Sequence, residues 1–128
     1  AHTLNDYFKN SKYKPADFDL ILTGDLGRYG KEILKDFMKE EYKIELGANY
    51  NDCGTILYDL AKQKDVMAGG SGPVCSALVA YSKVLNSLNK GEYKRVLLVA
   101  TGALFSPTFV YQKKPILSIA HLVCLEAI

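Results

Sequence analysis

The stretch that most constrains the fold is residues 67–107, MAGGSGPVCSALVAYSKVLNSLNKGEYKRVLLVATGALFSP. It reads as a glycine loop, a helix, a short connection, a buried strand and a glycine turn. From residue 73 to residue 81 every side chain is apolar or small, and the first charge is Lys83. A surface helix shows one apolar stripe and one charged face. A helix whose first half has no charged face must be covered on more than one side, so it is expected between two layers. Its start falls near Ser71 or Gly72, with Ser71 as N-cap and Pro73 tolerated in the first turn, where a missing N–H costs nothing. Gly91, just after Lys90, suits the left-handed position that follows a helix. Residues 96–100 are continuously apolar, the pattern of a strand covered on both faces.

The rest of the chain supplies elements to pack against this unit. Leu4, Tyr7 and Phe8 recur at helical spacing in residues 2–10. Residues 18–23, FDLILT, have strand length, and Gly24-Asp25-Leu26-Gly27 turns the chain into a helix over 28–41. That helix places Ile33, Leu34, Phe37 and Met38 on one side and Lys31, Lys35, Asp36 and Lys39 outside. Gly47, Asn49, Asn51, Asp52 and Gly54 are turn residues, and residues 55–60 suit a strand or a helical turn. Gly102 and Pro107 bracket a turn, after which residues 108–111 begin a strand. Residues 116–125 form a closing strand, with Ile119, His121, Val123 and Leu125 alternating with Ala120, Leu122, Cys124 and Glu126. The expectation is α/β, with about four strands and three helices in a mixed sheet. Two helices cover the sheet and the apolar helix lies on its other face.

Bulk properties exclude several classes of function. A chain of 128 residues suits a single domain spanning 1–128. The net charge of +2, with basic residues scattered beside acids, gives no nucleic-acid surface. Three cysteines, Cys53, Cys75 and Cys124, without a CxxC pair, speak against a disulfide framework or a cysteine-rich metal site and for a reducing, intracellular setting. No apolar run reaches the ~18–20 residues of a membrane span. The start at Ala1 and the stop straight out of an apolar strand suggest a piece of a larger protein.

Candidate sites are few. Residues 23–30, TGDLGRYG, follow a strand and open a helix, where backbone N–H groups can meet an anion, but the spacing is neither GxGxxG nor a P-loop. Glycines that turn the chain and allow close packing account for it. In residues 68–73, AGGSGP, two readings stay open: a ligand wall of free N–H groups, or tight packing where the helix enters its sandwich. Cys75 reads as a small buried hydrophobe, and His121 as a strand histidine held by hydrogen bonds. Asp25, Asp52 and Asp59 are too scattered for a metal site, and two histidines without HxH or HExxH make none.

Four ordered stretches nonetheless form a pattern: DLILTGDLG from Asp19, NYNDCG from Asn49, DVMAGGSG from Asp65, and VATGALFSP from Val99 with Ile119-Ala120-His121. Together they resemble the C-terminal part of the stage V sporulation protein AD family, over essentially the whole chain. The resemblance implies a thiolase-like fold, related to type III β-ketoacyl synthases, in which two similar halves stack as five layers. The helix after Ser71 would be the central-layer helix of the C-terminal half, and an N-terminal half would supply the other layers. In condensing enzymes this half provides a histidine after its first strand and a histidine or asparagine before the central helix. Here those places hold Gly24 or Asp25 and Gly69-Gly70-Ser71. The second thiolase cysteine is replaced by Ala100-Thr101-Gly102. Glycine can neither polarise a thioester carbonyl nor move a proton.

The resemblance therefore implies a non-catalytic domain with a degenerate site, taking part in the binding and uptake of dipicolinic acid, with its calcium, into the developing spore. Gly69, Gly70 and Ser71 are the first candidates for the pocket wall, with Thr101 and Gly102 second. Family members often carry histidine where this chain has Met67, so a donor is lost there. No catalytic residue, metal or cofactor is implied. The implied partners are the N-terminal half of the same protein, dipicolinic acid, other stage V sporulation membrane proteins and a second copy in a homodimer. The implied location is cytoplasmic, peripheral to the forespore or spore inner membrane. Two alternatives remain: an acyltransferase or condensing enzyme recruiting Cys53 or His121, and a structural module that docks partners.

Overall fold

The apolar run beginning at residue 18 forms the central strand of the sheet. In this computed structural model, which describes residues 1–69, 74–103, 106–116 and 118–128, β1 (Leu20–Thr23) has all its side chains buried. It lies parallel to β2 (Tyr50–Asp52) on one side and to β3 (Arg95–Val99) on the other. β3 pairs antiparallel with β6 (Leu122–Glu126), giving the order β2-β1-β3-β6. A separate two-stranded ribbon joins β4 (Gly102–Ala103) to β5 (Ser118–Ile119).

Side chains alternate across a strand, and that period divides the core. Ile21, Leu97 and Val99 face α1 (His2–Asn10) and α2 (Gly27–Tyr42), where Leu4 and Met38 are buried with Leu46 and Tyr50. Leu20, Leu22 and Val96 face the other way, against Cys53 of α3 (Cys53–Leu57) and Cys75, Val79, Val84 and Leu88. The last four belong to the helix over 75–89, which runs as α4 (Cys75–Val79), a π-helical stretch (Ala80–Val84) and α5 (Leu85–Asn89). The architecture is the expected mixed sheet with helices on both faces, consistent with an α/β thiolase-like fold.

The apolar helix is half covered. Its sheet-facing side is buried, whereas Val74, Leu78 and Tyr81 are 67, 47 and 72% exposed. Between its open side and the sheet runs a groove of about 270 Å³, lined by Ala77, Tyr81, Leu85, Leu98, Val123 and Leu125 among others. The helix ends as read, with Gly91 at φ +71° donating its N–H to Leu88. The expected start at Ser71 or Gly72 lies outside the described residues.

Five local readings are corrected or sharpened: residues 116–125, expected as one closing strand, divide into β5 in the ribbon and β6 in the main sheet. Residues 108–111 are helical, within α6 (Pro107–Tyr111), because Ser106 and Pro107 form a helix start. Tyr50–Asp52, among turn-type residues, is a strand because pairing with β1 supplies its hydrogen bonds. Residues 55–57, in the segment read as a strand or a helical turn, complete the single turn of α3, which begins earlier, at Cys53, and residues 58–60 are neither helix nor strand. Ile33 and Phe37, read as inward with Leu34 and Met38, point out and are 67 and 46% exposed. Each lies one residue, about 100° of helix rotation, from the inward row. Among the described residues no helix is long and apolar enough to cross a membrane.

Candidate functional site

Parallel strands β1 and β3 end side by side, and the segments that leave them build the candidate corner. β1 exits through Gly24, where a Cβ would come within 2.7 Å of the Thr101 backbone nitrogen and 2.9 Å of its hydroxyl. The two exits therefore pack closer than any residue with a side chain allows. Three residues on, Gly27 has φ +68°, and a Cβ there would lie 2.9 Å from the Ala68 carbonyl oxygen. The next N–H, of Arg28, donates to that carbonyl at 2.7 Å. The turn over 24–28 is thus wedged between residues 100–101 on one side and 68–69 on the other.

A fully buried carboxylate holds the wedge in place. Asp52 accepts the Thr23 hydroxyl at 2.6 Å and the Leu26 N–H at 2.9 Å on Oδ1, and the Gly27 and Gly54 N–H groups, both at 3.0 Å, on Oδ2. It caps α3 and sits at the start of α2, so the positive ends of two helices meet on one internal anion. The N–H groups that a ligand anion would need at the start of α2 are therefore taken. This supports the packing reading of the glycines in residues 23–30. Tyr50, whose hydroxyl lies 3.2 Å from Thr23 Oγ1, has its phenol pushed well above the usual range by burial and then by the nearby Asp52 charge.

Beside the same turn, an open cleft of about 370 Å³ is lined by Leu26, Thr101, Gly102, Ala103, Ser118 and Ile119, with Ala120 and residues 1–3 completing it. The β4–β5 ribbon forms one wall, with Gly102 opposite Ile119. The N-terminal helix closes another, tied by the Thr3 hydroxyl to the Ala120 carbonyl at 3.0 Å. Among the described residues the lining has hydroxyls at Thr3, Thr101 and Ser118 and no lysine or arginine. Such a surface can orient a ligand by hydrogen bonds, and the His2 imidazole at its rim has Nδ1 2.9 Å from Tyr42 Oη.

The structure brings Thr101 and Gly102 together in this cleft. Gly69 is elsewhere: it is buried, with φ +76°, packed against the Gly54 carbonyl and Leu60. Gly70 and Ser71 lie outside the described residues. Met67 is 83% exposed and has φ +56°. Cys53 is fully buried, and burial, followed by the Asp52 charge, pushes its thiol up to about 12, so it stays protonated at neutral pH. His121, expected within a strand, lies between β5 and β6 and is exposed, and its carbonyl accepts the Ala100 N–H at 2.8 Å. Among the described residues no group of three or more His, Cys, Asp or Glu could hold a metal.

Sequence reasoning missed Asp52 as the organiser of the corner. The signal was present, since aspartate two residues before Gly54 at the start of a short helix is an N-cap pattern. The parts of the cleft contributed by Leu26, Ser118 and Ile119 carry no such signal, because they meet only in three dimensions.

Comparison with known protein sequences gives the family. The sequence model of the stage V sporulation protein AD (SpoVAD) family matches residues 1–126. The stage V sporulation protein AD of Bacillus subtilis (strain 168) is 46% identical over 126 residues, covering 98% of this chain and 36% of the relative. The chain thus spans about a third of the length of the curated relative it matches. Over that span, strand exits and glycine turns included, it belongs to the stage V sporulation protein AD family.

Proposed function

We propose that this chain is the C-terminal half of a two-half, thiolase-like sporulation protein that binds dipicolinic acid without catalysing acyl transfer. The family membership carries the sporulation role. Support for the missing half comes from the uncovered apolar side of the 75–89 helix and the groove beside it. Stacking an N-terminal half there would remove Val74, Leu78, Tyr81 and Leu98 from water.

The ligand reading rests on the cleft at the ends of β1 and β3. Open α/β sheets bind ligands beyond the carboxyl ends of their strands. Thr101 and Gly102 offer a hydroxyl and exposed backbone there, suited to a carboxylate of a small aromatic diacid. Gly70 and Ser71 remain candidates for the proposed wall, whereas Gly69 is packed away from the cleft, against Gly54 and Leu60. Neither a cofactor nor a bound metal is required, and calcium enters as cargo with dipicolinate. Partners in the proposed role are other stage V sporulation membrane proteins, or a second copy in a homodimer, at the periphery of the spore membrane.

Acyl transfer through Cys53 is disfavoured by one specific observation: its thiol is buried and, pushed up by that burial, stays protonated at neutral pH. The deciding experiment titrates dipicolinate, with and without calcium, into the full-length protein. Saturable binding that Thr101→Val weakens about tenfold, the worth of one hydrogen bond to a charged group, is expected. Absence of saturable binding refutes the ligand reading and leaves a structural docking role. A covalent adduct after incubation with an acyl thioester, detected by mass spectrometry, would instead establish the enzyme reading.

A further inference from the structure

α2 has a second apolar row that the sheet does not use. Tyr29, Ile33 and Phe37 recur every four residues and are 68, 67 and 46% exposed. Residues four apart on a helix are neighbours, so the three form one continuous strip. At its end Phe37 meets the ring of Tyr42 at 5.8 Å, which extends the strip.

The charges around the strip are sorted. Glu32, Asp36 and Glu40 each follow a strip residue by three positions, which sets all three against its edge. Glu41 follows Phe37 by four. Lys31, Lys35 and Lys39 follow by two and therefore point round the helix, away from it. Lys31 reaches back to Asn51 Oδ1 at 3.0 Å, and Lys39 pairs with Glu45. Among the described residues Glu32, Asp36 and Glu40 form no ion pair.

We propose that this face docks a basic amphipathic helix of a partner protein, with apolar residues on the Tyr29–Ile33–Phe37 strip and lysines or arginines on Glu32, Asp36 and Glu40. Charge decides among the occupants. Anionic lipid is repelled by a carboxylate edge; Lys31, Lys35 and Lys39 face elsewhere, and Lys43, whose Nζ donates to the Glu40 carbonyl at 2.6 Å, lies only at the end of that edge. A second copy related by a two-fold axis would set the same acidic edge against itself, a like-charge contact that disfavours pairing. The layer that covers the 75–89 helix lies across the sheet, since α2 packs on the Ile21 and Leu97 face and that helix on the Leu22 and Val96 face. The proposal is independent of what the cleft binds.

The test uses the full-length protein and two fluorescent synthetic helical peptides. Both have leucines at i, i+4 and i+8. One carries lysines on the flanking rows, and its twin carries glutamates there. The lysine peptide is expected to bind saturably, at least tenfold tighter than its twin, and to lose about tenfold when Ile33→Ser is introduced. The triple reversal Glu32→Lys, Asp36→Lys, Glu40→Lys is expected to invert the preference between the peptides. Equal binding of both peptides, or a preference that survives the reversal, overturns the proposal. So does an Ile33→Cys variant inert to a small thiol reagent in the folded protein, since its own chain would then cover the strip. A dimer that Ile33→Ser dissociates assigns the face to a second copy and also overturns it. Binding to phosphatidylcholine–phosphatidylglycerol vesicles that Ile33→Ser abolishes assigns the face to a membrane, with the same consequence.

Discussion

The carboxylate of Asp52 joins three segments that are distant in sequence: the end of β1, the start of α2 and the start of α3. Replacing Asp52 by alanine leaves three backbone N–H groups without acceptors, those of Gly27 and Gly54 buried and that of Leu26 part-buried, which costs about 2–4 kcal/mol. Denaturant titration of the full-length protein would read this as a lowered midpoint with an unchanged slope. A loss below about 1 kcal/mol would show that water replaces the carboxylate. Glycines at two positions should behave differently. Gly24→Ala drives a Cβ into the Thr101 backbone and should cost about 1–3 kcal/mol through overpacking. Gly91→Ala meets nothing within 4 Å and carries only the strain of a positive φ, about 1 kcal/mol. The same denaturant titration ranks the two. Cys53 sets a pH limit. Its thiol is pushed up from 9.0 to about 12 in the folded state, so above pH 9 the unfolded chain releases a proton that the folded chain keeps. Stability is full below pH 9 and falls as pH rises towards 12, with buried Tyr50 acting in the same direction. A melting temperature measured from pH 7 to 10.5 should be flat and then decline, and a rise above pH 9 would contradict the assignment.

At the scale of elements, legibility followed length and periodicity. The 75–89 helix, α2 and β3 have enough residues for their patterns to stand out. β2 does not: three residues, two of them Asn51 and Asp52, become a strand only because Ile21 lies opposite Tyr50. The reverse error occurred at α6, where Thr108, Phe109, Val110 and Tyr111 all favour strands, yet Ser106 and Pro107 set a helical start. α2 was legible in extent but not in orientation. Ile33 and Phe37 sit beside Leu34 and Met38 in sequence, and only packing against the sheet decides which row is buried. The candidate site was legible in part: Thr101 and Gly102 line the cleft, whereas Gly69 is packed away from it by the turn over 24–28. Asp52 went unread because its partners are spread from residue 23 to residue 54.

For the whole molecule, the sheet is saturated on one face and under-covered on the other. Val74, Leu78, Tyr81, Leu98, Val123 and Leu125 form an apolar surface beside the 75–89 helix. Contiguous patches of this kind mark interfaces. Produced alone, the 128-residue chain should self-associate, and Leu78→Lys with Tyr81→Lys should reduce that association in sedimentation velocity. In the full-length protein the same pair should destabilise, because it would bury two charges between layers. A chain that is monomeric alone would argue against a missing layer. The proposed division of labour then assigns one face to the other half of the protein and the strand ends to the ligand. Amide hydrogen exchange of the full-length protein, with and without saturating dipicolinate, tests that assignment most directly. Added protection concentrated in residues 24–28 and 100–103 is the predicted result, and unchanged exchange there, with or without protection elsewhere, would contradict it.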